Sequence, residues 1–295
     1  MVSKRRAWLG SVGLILLSLA AQPVRADDSA PAADKSNYSL FNPTPTDAMR
    51  AFSPERPTRI LNPFTVDAGH FQIESDFVNY IHSNNGDFST QVFQILDPTI
   101  KLGLNNWIDF ELLLVPYQNA TTRNRHTGAI VDSARGFGDT ILKTKLNLFG
   151  NDGGSIAVAL APWVKAPSAA AGLGNGVVEG GVALPVQFNL PADFTLAVQT
   201  EVDALKDAND TRRYTNFVNI ANISHPVSFI SKDLSASIEF YSSVGTDTYT
   251  PAVYTFDIGV DYLILPNVQL DAGANFGLTR ASPNLDVYTG ITARF

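Results

Sequence analysis

The sequence has no cysteine among its 295 residues. A fold held by disulfides and a metal site with thiolate ligands are therefore both excluded. A bacterial lipid anchor is excluded as well, because its acyl chains are attached to a cysteine at the cleavage point of the leader. The fold must be stabilised by its own hydrogen bonds and packing.

Basic residues are also scarce, with Lys+Arg 21 against Asp+Glu 28. Four of the basic residues and none of the acids fall within the first 26 positions, so the rest of the chain has 17 basic and 28 acidic side chains. Nucleic-acid binding requires clustered lysine and arginine to neutralise phosphates. Nucleic acid is therefore not a predicted partner.

Long apolar runs are absent beyond the N-terminus. Residues 4–6 are basic, an apolar core runs from Leu9 to Ala21, and Val24-Arg25-Ala26 precedes Asp27. This three-part pattern predicts a signal peptide over residues 1–26 that is removed after export. The core is too short for a spanning helix, which needs about 20 apolar residues.

Residues 27–62 form a segment without any hydrophobic period. It is rich in Ala, Ser, Asp and Pro, a composition typical of loosely packed chain. We expect a periplasmic N-terminal segment that is mobile or that partly plugs the mouth of the domain that follows.

Period-two alternation begins at Gly69 and continues to the C-terminus. In Trp107–Tyr117 the apolar side chains share one face, and Asp109 and Glu111 occupy the other. Carboxylates facing hydrocarbon are costly, so the acidic face must contact water or protein and the apolar face must contact lipid. The same division recurs in residues 69–82, 194–204, 234–243 and 252–264.

Twelve such segments can be distinguished, which predicts an all-β fold, an antiparallel transmembrane β-barrel of about 12 strands over residues 63–295. Short and longer connections alternate along the chain. The same alternation of periplasmic turns and outer loops is found in β-barrels of the outer membrane of Gram-negative bacteria, which is the predicted location. The short ones are 105–106, 150–154, 191–192, 231–233 and 266–267, and the longer ones are 118–136, 166–175, 205–213 and 244–251.

The last predicted strand ends on an aromatic residue, Phe295. A terminal aromatic on an amphipathic strand looks like the signal that the barrel-assembly machinery recognises. The predicted partners are therefore this machinery, the lipid and lipopolysaccharide of the outer membrane, and a small-molecule solute.

Five segments stand out by their order and spacing. They are Asn62-Pro63-Phe64-Thr65-Val66, Ala68–Glu74, Gly136–Thr140 with Lys145, Leu270–Thr279 and Ala293-Arg294-Phe295. Together they resemble the outer-membrane transporter family named after the MetA pathway of phenol degradation. The resemblance implies an outer-membrane barrel with a transport role, associated by name with aromatic catabolism.

Charged residues of both signs fall on the inward face of the predicted strands. The candidate lumen-lining residues are Glu74, Asp76, Lys101, Asp109, Glu111, Asp139, Lys143, Lys145, Glu201, Glu239, Asp257, Asp271 and Arg294. They could line a cation-preferring pore, or they could pair with one another and close the lumen. A barrel of this size lies between small filled barrels and the large open porins, so the sequence leaves both alternatives open.

The primary hypothesis is a channel or facilitator for passive uptake of small solutes, aromatic or hydrophobic ones among them. The alternative is a non-conducting barrel that acts structurally or presents its outer loops to a partner. An outer-membrane hydrolase is the weakest alternative, because no Gly-x-Ser-x-Gly elbow accompanies the four histidines, His70, His82, His126 and His225. No catalytic residue, metal ligand or cofactor is predicted.

Overall fold

The computed structural model describes residues 34–207, 212–247 and 249–295. The predicted signal peptide and residues 27–33 lie outside this description. A single turn of 3-10 helix occupies Thr46–Ala48. Within the described ranges, no helix has the length and apolar character needed to cross a membrane.

In the described part of the chain, fifteen strands join into one antiparallel sheet. The strands are β1 (Phe71–Asn85), β2 (Phe88–Ile95), β3 (Thr99–Gly103), β4 (Ile108–Leu113), β5 (Tyr117–Asn124), β6 (Ile130–Gly136), β7 (Thr140–Phe149), β8 (Ile156–Ala166), β9 (Glu179–Asn189), β10 (Thr195–Lys206), β11 (Arg213–Pro226), β12 (Leu234–Gly245), β13 (Val253–Leu265), β14 (Val268–Gly277) and β15 (Leu285–Arg294).

The sheet closes into a barrel because β15 pairs with β1. Three wall strands are each built from two consecutive pieces: β2 with β3, β4 with β5, and β6 with β7. β3 pairs with the first half of β1 and β2 with its second half. Counted over the described residues, the wall therefore has twelve strands, and the predicted barrel of about 12 strands is confirmed.

The outer face of the wall is apolar and the inner face polar, as the alternation predicts. On β1, Phe71 and Phe77 are 46% and 45% exposed, whereas Gln72 and Glu74 are 4% and 3% exposed. The same contrast holds on β13, where Ile258 is exposed and Asp257 is buried. An apolar surface of this extent on a closed sheet is the lipid-facing surface of a membrane barrel.

The prediction of a long outer loop over residues 118–136 is wrong. This stretch is instead a hairpin of β5 and β6, with the two strands paired from Gln118 and Gly136 to Arg123 and Ile130. The hairpin lacks the alternation of the lipid-facing strands, because polar residues such as Thr121 and Thr122 are adjacent in it. A search for alternating hydrophobicity therefore does not detect it.

Three gaps without strand pairing lie at adjacent positions around the wall, and they are together called the wall break. Residues 96–98 and 114–116 interrupt two of the predicted strands, and residues 137–139 separate β6 from β7. Two of them contain a proline, which has no N–H to contribute to a ladder. The hydrogen bonds across the wall break are diagonal: Leu114 N to Pro98 O at 3.0 Å, Gly138 N to Val115 O at 2.9 Å, and Ala170 N to Phe137 O at 2.9 Å.

Candidate functional site

A chain segment without regular structure occupies the barrel interior. Residues 50–67, here called the luminal segment, enter from the periplasmic end, where Arg50 bonds Asn106, and return there, where Thr65 N donates to Asn151 Oδ1 at 3.1 Å. Between these ends the segment reaches the middle of the wall at Glu239. Its prolines supply no N–H, so fewer buried donors need partners.

Three lysines and three glutamates form the largest ionic cluster in the lumen, here called the lysine cluster. Its members are Lys101, Lys143, Lys145, Glu55, Glu74 and Glu111. Lys101 Nζ lies 2.6 Å from Glu74 and 2.9 Å from Glu55 of the luminal segment. Glu55 also pairs with Lys145, and Lys143 lies 2.9 Å from Glu111. The wall supplies three lysines and two glutamates, and Glu55 of the luminal segment balances the one excess positive charge.

Two arginines hold the middle of the luminal segment against the opposite wall. Arg56 makes a two-pronged contact with Asp271, with distances of 2.7 Å and 3.2 Å, and also pairs with Asp76. Arg59 lies 3.5 Å from Asp257 and 3.3 Å from Asp286. A planar guanidinium fits a carboxylate in bidentate geometry, so the contact between Arg56 and Asp271 fixes orientation as well as charge.

Wall side chains also satisfy the backbone of the luminal segment. Glu239 accepts the N–H groups of Arg59 and Ile60 at 3.0 Å and 3.3 Å. Gln199 accepts that of Leu61 at 2.9 Å, and Asp109 accepts that of Val66 at 3.0 Å. A buried N–H without a partner costs about 1–3 kcal/mol, so these acceptors stabilise the segment inside the barrel.

At the periplasmic end, a second ionic group fastens both ends of the luminal segment. This periplasmic clasp consists of Lys35, Arg50, Asp67, Asp152 and Arg294. Asp152 lies 2.8 Å from Lys35 and 3.1 Å from Arg50, and Asp67 lies 3.6 Å from Arg294. Burial alone would raise the pKa of Asp152, but hydrogen bonds from Lys35 and Asn106 and the charge of Arg50 lower it overall.

Most of the candidate lumen-lining residues lie against the luminal segment. Eleven of the thirteen contact it or belong to the lysine cluster: Glu74, Asp76, Lys101, Asp109, Glu111, Lys143, Lys145, Glu239, Asp257, Asp271 and Arg294. Asp139 lies apart at the wall break, where it pairs with Lys165 at 3.1 Å. Glu201 also lies apart and accepts a hydrogen bond from Trp163 Nε1 at 2.8 Å.

Several residues of the site were missing from the candidates. Glu55, Arg56 and Arg59 belong to the stretch expected to be a mobile or partly plugging periplasmic segment. The available signal was charge of both signs within five residues, between Pro54 and Ile60, in a segment otherwise poor in Arg. Trp163, which was not among the candidates either, faces inward and donates to Glu201.

Two cavities lie in the lumen, and Leu61 lines both. The outer cavity has a volume of about 380 Å³ and is bounded by residues near the outer strand ends, such as Leu205 and Ser243. The inner cavity has a volume of about 370 Å³ and is bounded by residues near the periplasmic strand ends, such as Thr195 and Ser235. Leu61 therefore stands between the two cavities.

The histidines make no contact that would activate a nucleophile. Both ring nitrogens of His70 bond backbone oxygens, His225 bonds the oxygen of Ala192, and His126 pairs with Asp87 in an exposed hairpin. His82 bonds the side chain of Asn84. Among the residues that the structure describes, no group of three or more His, Asp or Glu side chains is arranged to hold a metal ion.

The closed antiparallel wall, the apolar outer surface and the polar interior define an outer-membrane β-barrel. A family model described as "Putative MetA-pathway of phenol degradation" matches residues 55–295. The chain belongs to this family, and the match begins within the luminal segment. The family prediction made from the sequence is thus confirmed.

Comparison with a solved outer membrane channel supports the same fold, and two further solved barrels are less similar. An outer membrane channel from Pseudomonas putida F1 is similar with a TM-score of 0.54 and 12% identity, covering 82% of this chain and 100% of the channel. The β domain of the Bordetella autotransporter BrkA has a TM-score of 0.49 and 13% identity, covering 77% and 99% of the two chains. The KdgM porin has a TM-score of 0.46 and 10% identity, covering 76% and 99%. Among proteins of curated function, none matches the sequence.

Proposed function

We propose that the protein is a facilitator for passive passage of small solutes, aromatic or hydrophobic ones among them, across the outer membrane. The observation that carries the proposal is the pair of cavities separated at Leu61. Together they extend from the outer strand ends to the periplasmic ends, and the luminal segment is what divides them. The association of the family with phenol degradation supports an aromatic solute.

The candidate lumen residues then have a holding role rather than the role of an ion filter. Most of them are paired with the luminal segment or with one another, which leaves few free charges to attract a permeating ion. We assign to them the positioning of the segment that sets the width of the path. The domain division then becomes a signal peptide, an N-terminal segment partly inside the barrel, and the barrel itself.

The ion pairs between the luminal segment and the wall are also compatible with the alternative, a non-conducting barrel, because they fill the space between the segment and the wall. Reconstitution distinguishes the two functions. Purified barrel in proteoliposomes should take up phenol faster than protein-free vesicles, and planar bilayers should show small conductance steps. Absence of both uptake and conductance would establish the non-conducting barrel instead.

A matched pair of variants tests the route through the lumen. Leu61→Ala shortens the side chain between the two cavities and should increase the uptake rate several-fold. Leu270→Ala makes the same change on the lipid-facing side of β14, where Leu270 is 37% exposed, and should leave uptake unchanged. Heat-dependent gel mobility verifies that both variants are folded. Equal uptake in the two variants would contradict passage past Leu61.

No enzymatic step is part of this proposal, since the histidine contacts give no activated nucleophile.

We also propose that the barrel-assembly machinery recognises the last strand. Phe295 is 69% exposed, and its backbone is paired with that of Phe71 at 2.8 Å and 3.1 Å. This leaves the aromatic ring free beside the closing strand pair.

A further inference from the structure

The outer cavity is lined by two carboxylates that have no ion-pair partner among the described residues. Glu201 and Asp203 are two residues apart on β10 and face inward together. Neither lies within ion-pair distance of a basic side chain of the described residues. The two basic residues that line the same cavity are already engaged, Lys143 with Glu111 at 2.9 Å and Arg59 with Asp257 and Asp286.

Asp203 has unused hydrogen-bonding capacity in a buried position. It is only 5% exposed, and Asn216 donates to its Oδ2 at 3.1 Å. Its Oδ1 has no hydrogen-bond partner among the described residues. Buried carboxylate oxygens are normally satisfied, so an unsatisfied one that lines a cavity indicates a missing donor.

The neighbouring wall leaves room for this arrangement because residue 181 is a glycine. A Cβ there would collide with Asp203 Oδ1 and would lie 2.8 Å from Trp163 Nε1. Trp163 donates to Glu201 at 2.8 Å, and Gln199 donates to the other oxygen of Glu201 at 3.0 Å. The two acids are thus held in place with one oxygen of Asp203 left over.

The rest of the cavity is largely apolar and aromatic. Its remaining wall includes Leu113, Ile141, Trp163, Val218, Ile220 and Tyr241. A volume of about 380 Å³ is within the range of small-molecule sites, which combine apolar walls with a few placed polar groups. A single aromatic ring with a short substituent fits these dimensions.

We propose that the outer cavity is a binding subsite for a small aromatic ring carrying a hydrogen-bond donor, with Asp203 as the principal acceptor. The donor is a hydroxyl or an ammonium group, which present the same chemistry to a carboxylate. An aromatic carboxylate is rejected, because its charge repels Glu201 and Asp203 while the two cations of the cavity, Arg59 and Lys143, are already paired with other carboxylates. This inference rests on the proposed passage of small solutes and names the chemical class that the path admits.

The folded protein offers its own probe for this subsite. Of the three tryptophans in the chain, Trp8 lies in the predicted leader and Trp107 is 46% exposed near the periplasmic rim. In a Trp107→Phe barrel without the leader, the remaining tryptophan fluorescence comes from Trp163 in the cavity. Phenol, benzylammonium and benzoate are titrated against this protein, and calorimetry measures the same affinities independently.

We expect phenol, benzylammonium or both to change Trp163 fluorescence saturably and benzoate to have no effect. Phenol alone identifies a hydroxyl site and benzylammonium alone a cation site. Asp203→Asn should weaken binding at least tenfold, and Glu201→Gln, which keeps an oxygen for Trp163, should reduce the exclusion of benzoate. Asp261→Asn is the matched control, since Asp261 lines the inner cavity, and it should bind as the parent does.

The inference is overturned if neither donor ligand binds, if benzoate binds equally well, or if Asp203→Asn binds as the parent does. If Asp203→Asn fails the gel-mobility test for folding, the decision rests on whether Glu201→Gln reduces the exclusion of benzoate. Uptake of phenol by proteoliposomes is measured alongside. Uptake without binding refutes the subsite alone, whereas binding without uptake refutes the proposed passage and leaves the subsite.

Discussion

Glu55→Gln is the substitution most informative about how the luminal segment is held. Glu55 contacts Lys101 at 2.9 Å and Lys143 at 3.8 Å, and it also pairs with Lys145. The change is isosteric and removes only the charge. It leaves three buried lysines facing the two glutamates of the wall.

Removing one partner of a buried ion pair costs about 3–5 kcal/mol, because the other charge stays desolvated. In this barrel the lysines can regain water if the luminal segment leaves, so the cost falls on segment docking rather than on the wall. At about 1.4 kcal/mol per factor of ten, docking should weaken by about 100-fold or more. The twelve-strand wall should remain folded.

Limited trypsin digestion measures the undocked population. Arg50 and Arg59 are the cleavable arginines of the luminal segment, since Arg56 precedes a proline, and their side chains are 7% and 28% exposed. Cleavage after these residues should accelerate in parallel with the loss of docking, and solute uptake should rise with it. Asp47→Asn removes an exposed acid close to the segment and serves as the control.

If Glu55→Gln is cleaved no faster than the parent, the lysine cluster does not hold the segment. The same conclusion follows if Asp47→Asn is cleaved equally fast, because a general loss of negative charge would then explain both results.

Three further outcomes follow from the site. Ile60→Cys combined with Ala197→Cys places two cysteines in one buried apolar cluster of a chain that has no other cysteine. Oxidation to a disulfide should lower solute uptake and reduction should restore it, whereas each single-cysteine variant should respond to neither treatment. The pKa of Asp152 is lowered in the folded protein, so its contribution to the periplasmic clasp is complete above about pH 4, near the ordinary pKa, and is lost as the pH falls through the lower folded value. The protection of residues 50–67 against hydrogen exchange, corrected for the intrinsic rate, should therefore be constant from neutrality to pH 5 and decrease only in stronger acid. Asp152→Asn should abolish this decrease. Phe295→Ala should lower the yield of heat-modifiable barrel in cells several-fold while leaving refolding in detergent unchanged, and equal losses in both would indicate a stability defect.

The barrel could be predicted because its constraint acts at every second residue. A strand that separates lipid from a polar interior must alternate, and segments such as Ala252–Ile264 carry that alternation in full. The inward charges were found by the same reasoning, since Glu111 and Asp257 oppose apolar neighbours.

The partners of those charges could not be predicted in the same way. Arg56 and Asp271 are 215 residues apart in sequence, and the luminal segment has no period that indicates a position. Its prolines and small polar residues resemble a disordered linker. Hydrogen-bond acceptors on the wall, such as Gln199 and Glu239, order the segment. These acceptors cannot be identified from the composition of the segment.

The wall break divides the barrel mechanically. Below it the sheet runs through continuous ladders. Above it the β5 and β6 hairpin is paired with the rest of the sheet through β2 alone, from Phe88 and Asn124 to Ile95 and Tyr117, and the break adds only a diagonal row of hydrogen bonds. In the described part of the chain, β6 pairs with β5 alone. The hairpin is therefore the first cooperative unit to open, and under a pulling force it should detach as a separate step while the ladders from β8 to β15 remain intact.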